Sequence, residues 1–438
     1  MMPLPAVVTS AITRLETAGF EAVLVGGCVR DMLCGIVPHD YDIATAATPD
    51  EICTVFSGER LIETGIEHGT VTVLLSGEPL EITTYRKDGT YSDGRHPDGV
   101  TFSRALADDL SRRDFTVNAM AFHPDRGVTD LFGGQTDLQA GVLRCVGKPE
   151  VRFAEDALRV LRGLRFASKC GFAIEENTAA AMRAVKDTLF PVSAERLYAE
   201  LTEMLCGKDV TRVLLQYPEI VCAVIPELSE TVGFSQNNRH HVYTVYEHIA
   251  RVVGATSPTP ALRWAALLHD CGKPACMTMD EAGESHFAGH PEESARRAEA
   301  VLSRLRADNR TKEAALELIE LHDVRTPPTE KAVKRLLSKV GEERFFQLLD
   351  IAAADRSAQN PSYSPDGKAR EDAVRDMANK LLSERTCLSL ADLAVNGDDL
   401  LSAGIPAGKE LGDTLHRLLD LVLDGECENS KEELLKHI

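Results

Sequence analysis

Long apolar runs are missing from this 438-residue sequence. No stretch reaches the ~18 consecutive apolar residues that cross a bilayer, so no helical membrane span is expected. The opening MMPLPAVVTSAITRLETAGF lacks the charged-then-apolar order of a secretory leader, and a cytoplasmic location is the expectation. CxxC pairs are missing too. The 11 cysteines, an odd number, speak against a disulfide framework or a zinc ribbon and fit a reducing compartment. There are no low-complexity tracts, and 44% apolar with 26% charged residues is the composition of a folded chain. Positive charge is in deficit. With 48 Lys and Arg against 68 Asp and Glu, the net charge is −20, which excludes an indiscriminate nucleic-acid coat protein, because counterion release needs clustered cations.

What is present is length, motif and local charge. At about 100–200 residues per domain, two to four domains are expected. A basic lane runs through Arg86, Lys87, Arg95, Arg104, Arg112, Arg113, Arg144, Lys148, Arg152, Arg159, Arg162 and Arg165, enough to meet RNA locally. Val8, Ile12 and Leu15 have helical spacing, and Ala22-Val23-Leu24-Val25 reads as a buried strand ending at Gly26-Gly27. A glycine pair leaving a strand for a helix brings backbone amides to a phosphate, with Arg30 nearby; the same pattern also suits a plain turn.

His39-Asp40-Tyr41-Asp42-Ile43 reads as a strand, because the next helix signal is the capping box Thr48-Pro49-Asp50-Glu51. In a strand Asp40 and Asp42 share a face, and two carboxylates forced together favour a divalent cation. Two solvated surface acids are the alternative. Residues 70–75 and 81–85 also read as strands, the second opened by Glu81, a third acid that a neighbouring strand places beside the aspartates. Carboxylates holding Mg2+ and nucleotide phosphates imply nucleotidyl transfer to a 3′-hydroxyl. Leu158, Leu161 and Leu164 predict a helix through 150–169, with Asp156, Arg159 and Arg162 on a second stripe. An Asp beside an Arg is often a surface pair, but in a pocket the two present both an acceptor and donors to a nucleobase edge.

The segments LVGGCVRDMLCG, HDYDIAT, EITTYRKDGTYSDGRHPDGVTF, RRDFTVNAMAF, DLFGG and RFAEDALRVLRGLRFA follow one another from residue 23 to about 230. This series resembles the class II tRNA CCA-adding enzymes and their bacterial poly(A) polymerase relatives. The resemblance implies that Asp40 and Asp42 bind the catalytic metals, with Glu81 as a third ligand. It implies that Gly26, Gly27, Arg30, Arg112, Arg113, Asp114, Asn118, Arg162 and Arg165 surround the incoming nucleotide, and that Asp156 and Arg159 select CTP and then ATP without a template. The stretch from Arg86 to Phe102, with Gly89, Gly94, Pro97 and Gly99, reads as a loop. In the family such a loop accompanies the final A addition and favours complete CCA. Glu195-Arg196 matches a further helical motif that supports the neck or simply forms an acid–base pair.

From about residue 236 histidines cluster. The order His248, His269-Asp270, His290, His322, Asp355 resembles the HD superfamily of metal-dependent phosphohydrolases, which implies a divalent metal, of unspecified identity, activating water beside phosphorus. His240, His241 and His286 stand close by in sequence as alternative ligands. A polar stretch at 357–370 reads as a connector and 374–436 as helical, with a turn at 404–409 that resembles the tRNA-binding tail of the same family.

The expected fold is therefore an α+β nucleotidyltransferase head, a mixed sheet with helices, at 1–145. An all-α neck (146–232), HD domain (233–360) and tail (371–438) follow. The expected function is addition of CCA to tRNA from CTP and ATP, with Mg2+ in the head and phosphohydrolase chemistry in the HD domain. A bacterial poly(A) polymerase, or an HD phosphohydrolase with a nucleotide-binding head, are the competing readings.

Overall fold

The computed structural model describes residues 4–89, 99–360, 362 and 365–438. The chain forms two compact units, Met1–Val224 and Ile225–Ile438. The expected head and neck fall in the first and the HD and tail segments in the second, with the division at Val224 rather than near residue 232.

In the first unit α1 (Ala6–Thr17) buries Val8, Ile12 and Leu15 along one stripe. It leads to β1 (Ala22–Val25), α2 (Gly27–Leu33), β2 (Asp42–Thr45) and α3 (Pro49–Val55). The capping box at α3 forms as expected: the Thr48 amide donates to Glu51 Oε2 at 2.7 Å. Next come β3 (Arg60–Ile62), β4 (Thr70–Leu75), β5 (Glu78–Thr84), β6 (Arg86–Asp88), β7 (Val100–Phe102) and α4 (Leu106–Ser111). The head closes with β8 (Met120–His123), β9 (Gly127–Asp130), α5 (Gly134–Ala140) and β10 (Val142–Leu143). Its main sheet has seven strands in the order β3-β4-β5-β2-β1-β8-β9. The β2–β5 pair is parallel and the others antiparallel, so the sheet is mixed as expected.

Alternation along these strands makes two apolar layers. Leu24, Ile43, Val71, Val73 and Ile82 pack with α1 and α3 residues on one face, and Val23, Val25, Ala44, Tyr85, Ala121 and Leu110 cluster on the other. Asp42 precedes inward-facing Ile43 and so emerges on the second face. It is in register with Glu81, which stands next to Ile82 on the parallel neighbour.

Two expectations about strands need correction. The strand begins at Asp42, and Asp40 sits in the preceding bend, because β1 ends at Val25, opposite Asp42, and leaves no strand residue for Tyr41 or Asp40 to pair with. Glu81 lies mid-strand instead of opening its strand, since β5 starts at Glu78. At the base of the expected loop, β6 and β7 form a short ladder from Arg86↔Phe102 to Asp88↔Val100. Gly94, Arg95 and Pro97 lie outside the described residues.

The neck is helical: α6 (Pro149–Glu155), α7 (Leu158–Cys170), the short β11 (Ala173–Ile174), α8 (Glu176–Ala184), α9 (Ala194–Leu205), α10 (Val210–Gln216) and α11 (Pro218–Val224). The single helix expected across 150–169 is two. Asp156 leaves helical geometry, at φ −146° and ψ 107°, and its carboxylate accepts from the Leu158 amide at 3.1 Å. Aspartate competes with the helix for local backbone donors, and here the cap wins.

The second unit starts with α12 (Val245–Ala255), α13 (Pro260–Leu268) and α14 (Lys273–Cys276), followed by a small hairpin of β12 (Thr278–Met279) and β13 (Ser285–His286). It continues through α15 (His290–Arg304), α16 (Asn309–Leu321), α17 (Glu330–Ser357), which is broken at Gly341 with φ 77°, and α18 (Pro365–Ser383). The expected connector at 357–370 is thus largely helical on either side, since Pro365 fits the first turn of α18. Its residues 361 and 363–364 are outside those described. The tail, α19 (Gly397–Ser402), α20 (Lys409–Leu423) and α21 (Lys431–Leu435), has its own apolar core around Leu400, Leu418 and Leu434. Among the described residues no helix is long and apolar enough to cross a membrane.

Candidate functional site

The first unit holds a cleft of about 900 Å³ in which loop, α2 and α7 side chains converge. Gly26, Gly27, Arg30, Asp42, Arg112, Arg113, Asp114, Asn118, Asp156, Arg159, Arg162 and Arg165 all line it. Asp40 and Glu81 do not line it. Gly26 permits one close approach. Its φ is 79°, and a Cβ there would stand 2.9 Å from the Arg113 guanidinium.

Most of the arginines are held from behind by acids. Fully buried Asp109 receives Arg112 Nη2 at 2.6 Å and Arg113 Nη2 at 3.0 Å, which aims both guanidiniums from the end of α4. Burial alone would raise the Asp109 carboxyl, but Arg113 and Arg112 outweigh it and lower it. Asp114 takes Arg162 Nε at 2.9 Å and Nη2 at 2.7 Å, the Asn118 amide at 3.1 Å and its neighbour's backbone N–H at 2.8 Å. Despite its burial, those partners, Arg162 foremost, bring the Asp114 carboxyl down to about 2. Arg30 Nη1 donates to Asn118 Oδ1 at 2.7 Å, so Arg30, Asn118, Asp114 and Arg162 form one connected network. Arg30, Arg162 and Arg165 also ring Phe166, with guanidinium carbons 5.1, 5.6 and 4.6 Å from its centroid.

Asp156 and Arg159 are arranged differently from expectation. Asp156 pairs with Arg196 at 2.7 Å, while Arg159 pairs with Glu155 at 2.5 Å and donates to the Arg112 carbonyl at 3.1 Å. The break at Asp156 rotates it off the Arg159 stripe, and α9 supplies the partner instead. Not all of the basic lane reaches the cleft. Arg104 pairs with Glu51 at 2.8 Å and Arg144 with Asp137 at 3.1 Å, both away from it.

Among the head acids, Asp40 is 84% exposed and meets His39 Nδ1 at 3.0 Å. Asp42 is open to the cleft yet has protein on most sides. Burial raises its carboxyl, Arg113 opposes, and Asp40 adds to the rise. Asp40 is therefore near enough to be felt. Among the described residues, however, no three of the head acids come within 4.8 Å of one another.

In the second unit the six residues of the histidine–aspartate series do converge. His248, His269, Asp270 and Asp355 form one group with ligand atoms within 4.8 Å, and Asp270, His290 and His322 a second. His248 Nε2 lies 2.8 Å from Asp355 Oδ1, and His269 Nε2 lies 3.2 Å from Asp270 Oδ2. His290 Nε2 is 3.3 Å from both Asp270 Oδ1 and His322 Nε2. Each histidine turns Nδ1 outward to a backbone carbonyl: Ala358, Ala266, Phe287 and Ile319 respectively. That fixes the rings with Nε2 inward, the orientation of metal-ligating imidazoles. The buried Nε2 atoms of His248 and His269 and both Asp270 oxygens lack a hydrogen bond of good geometry among the described residues, which fits a cation between them. His241 stacks edge-on against His248 at 5.1 Å but stands outside both groups; burial lowers it to about 3.

Comparison with known proteins places this geometry. Residues 22–144 match the Poly A polymerase head domain, 171–229 the probable RNA and SrmB-binding site of polymerase A, and 287–438 a putative tRNA nucleotidyltransferase domain 2. The CCA-adding enzyme of Limosilactobacillus fermentum is 34% identical over 97% of this chain and 94% of its own length. The chain belongs to the CCA-adding enzymes. The Leuconostoc citreum member is 49% identical over 46% of this chain and 50% of its own. The Bacillus stearothermophilus CCA-adding enzyme in complex with CTP superposes with a TM-score of 0.72 at 29% identity, covering 100% of this chain and 97% of that one.

Several residues of the family member's cleft escaped the sequence reading. Asp109, Glu155 and Glu200 orient arginines, and Arg196 holds Asp156. Only Arg196 carried a signal, inside SAERLYAEL. In the second unit buried Lys273 meets Asp270 Oδ2 at 2.7 Å and Gln236 at 2.9 Å; its position three residues after Asp270 was the available hint.

Proposed function

We propose that the first unit adds C, C and A in turn to the 3′ end of tRNA from CTP and ATP, releasing pyrophosphate at each step. The reading is supported most by one observation: Asp42 opens into the same cleft as seven arginines and Asp156. In this reading Asp40, Asp42 and Glu81 hold Mg2+, which when bound polarises the phosphate and lowers the cost of ionising the attacking hydroxyl. The register Asp42↔Glu81 on parallel neighbours favours Glu81 as the third acid. Arg30, Arg112, Arg113 and Asn118 grip triphosphate and sugar, their forks fixed in advance by Asp109 and Asp114. Arg162 and Arg165 both stand over the Phe166 ring, a flat cationic bed for the base. Asp156 and Arg159 read the base edge, and a wrong base leaves their buried polar groups unmatched. The work is done in the cytoplasm.

The second unit, in this proposal, is an HD-type phosphohydrolase with room for two divalent ions, which when bound supply an activated water. Asp270 has one oxygen toward each ligand group, so it would hold the ions together with His248, His269, His290, His322 and Asp355. Product length is the test. CCA-less tRNA with CTP and ATP is expected to gain three nucleotides and stop, and oligo(A) with ATP alone to stay unextended. Open-ended A tails on either substrate point instead to a poly(A) polymerase.

A further inference from the structure

The cleft extends past the nucleotide-gripping residues into an outer compartment lined by Cys34, Ile36, Cys170, Phe172 and Lys208. None of these belongs to the nucleotide grip described above. Lys208 has no ion pair among the described residues, although most cations of the cleft do. The fold nonetheless fixes it firmly. It sits in the turn after α9, where the preceding Gly207 has no space for a side chain: a Cβ there would fall 2.1 Å from Ser168 Oγ and 2.7 Å from the Ser168 carbonyl carbon. The Asp209 amide donates to Ser168 O at 3.0 Å, and Ser168 Oγ donates to Met204 O at 2.6 Å. The lysine stem then crosses bare Gly171, the left-handed cap of α7, where a Cβ would meet Lys208 Cε at 3.3 Å. The turn thus fixes the backbone from which the exposed Lys208 side chain reaches the cleft.

The opposite wall is the segment 34–41. It carries two adjacent exposed apolar side chains, Ile36 at 57% and Val37 at 72%. A few residues on, the same segment delivers Asp40 and Asp42. Lys208 stands near it, close enough that its charge pulls on the Cys34 thiol, which burial raises. An RNA chain whose terminal oxygen reaches Asp42 enters the cleft that Ile36 and Lys208 also line, bringing alternating phosphates and bases. A fixed cation facing an apolar strip matches that alternation.

We propose that the outer compartment receives the single-stranded 3′ end of tRNA, with Lys208 on a backbone phosphate and Ile36 against a terminal base. This rests on the reading that attack occurs beside Asp40 and Asp42. The chemistry also admits a free pyrophosphate, which the assay separates from RNA.

Steady-state addition of a single C to CCA-less tRNA by the full chain tests it, with Lys208→Glu and the conservative Lys208→Arg. Lys208→Glu is expected to raise the KM for tRNA about tenfold, to leave the KM for CTP within about twofold, and to lower the salt dependence of tRNA binding by about 0.7 of a log–log unit. Lys208→Arg is expected to stay near wild type. Lys208 is exposed, so thermal melting should not move. An unchanged KM for tRNA in Lys208→Glu overturns the proposal. So does a raised KM for CTP, or weaker inhibition by pyrophosphate, with tRNA unaffected. Asp42→Ala separates the two layers: if it is inactive while Lys208→Glu binds tRNA normally, only the outer compartment falls. If Asp42→Ala is active, the premise about attack falls first.

Discussion

Arg196→Ala removes one of the two contacts that hold the carboxylate of Asp156, the acid proposed above to read the base edge. Asp156 Oδ2 is held by Arg196 Nη2 at 2.7 Å, while Oδ1 caps α7 through the Leu158 amide at 3.1 Å. Removing the guanidinium leaves the carboxylate fixed on one side only, free to swing from the edge of an incoming base. A charge-assisted hydrogen bond is worth roughly 1.5–3 kcal/mol net. These side chains are 27% and 16% exposed, so solvent screening reduces that to about 1–2 kcal/mol. If the loss falls on the transition state with the correct base, discrimination drops by about five- to thirtyfold. The assay is single-nucleotide addition to CCA-less tRNA, comparing kcat/KM for CTP and for UTP. We predict a lower kcat/KM for CTP and a C-over-U ratio reduced within that range, with partial recovery in Arg196→Lys. A folded Arg196→Ala enzyme whose ratio stays within about twofold of wild type would refute the reasoning, because Asp156 would then be placed by its backbone alone.

Three more outcomes are expected. Asp40→Ala and Asp42→Ala should each abolish nucleotide incorporation while gel-shift affinity for tRNA stays near normal; near-normal turnover in either removes the metal assignment. Asp270→Ala should strip bound divalent metal from the second unit, read by elemental analysis, and leave CCA addition intact, since the histidine–aspartate groups belong to the second unit and the cleft to the first; unchanged metal content contradicts Asp270 as a ligand. The third concerns acid stability. Asp114 is held at about 2, below the ordinary 3.8, so its contribution is complete above the ordinary value and lost as pH falls toward 2. Urea midpoints of Asp114→Asn should therefore fall less steeply than wild type between about pH 4 and 2, and equal slopes would show that Arg162 does not hold the carboxylate ionised.

Local signals in the sequence were enough for the elements and for most of the chemistry. Alternation in residues 70–75 and the capping box at Thr48 depend on neighbours along the chain and formed as read, while the leucine spacing of 158–164 gave a helix that starts only after the break at Asp156. The histidine–aspartate order was legible because its residues sit at helix ends and starts, such as His269 after α13 and His290 opening α15. Packing then carried those ends to one point. What the sequence could not reveal is which charges meet. An arginine pairs with whatever acid the fold sets within about 3–4 Å, and sequence distance carries no information about that. Hence Arg196, forty residues away, displaced Arg159 as the partner of Asp156, and Asp109 emerged as the hidden anchor of Arg112 and Arg113. The clamp under Lys208 is of the same kind: Gly207 and Ser168 are ordinary letters until two helices press them together. Sequence settled the kinds of groups and their chain order. Tertiary structure alone chose their partners, because Coulomb and packing forces act through space over a few ångströms, whatever the separation along the backbone.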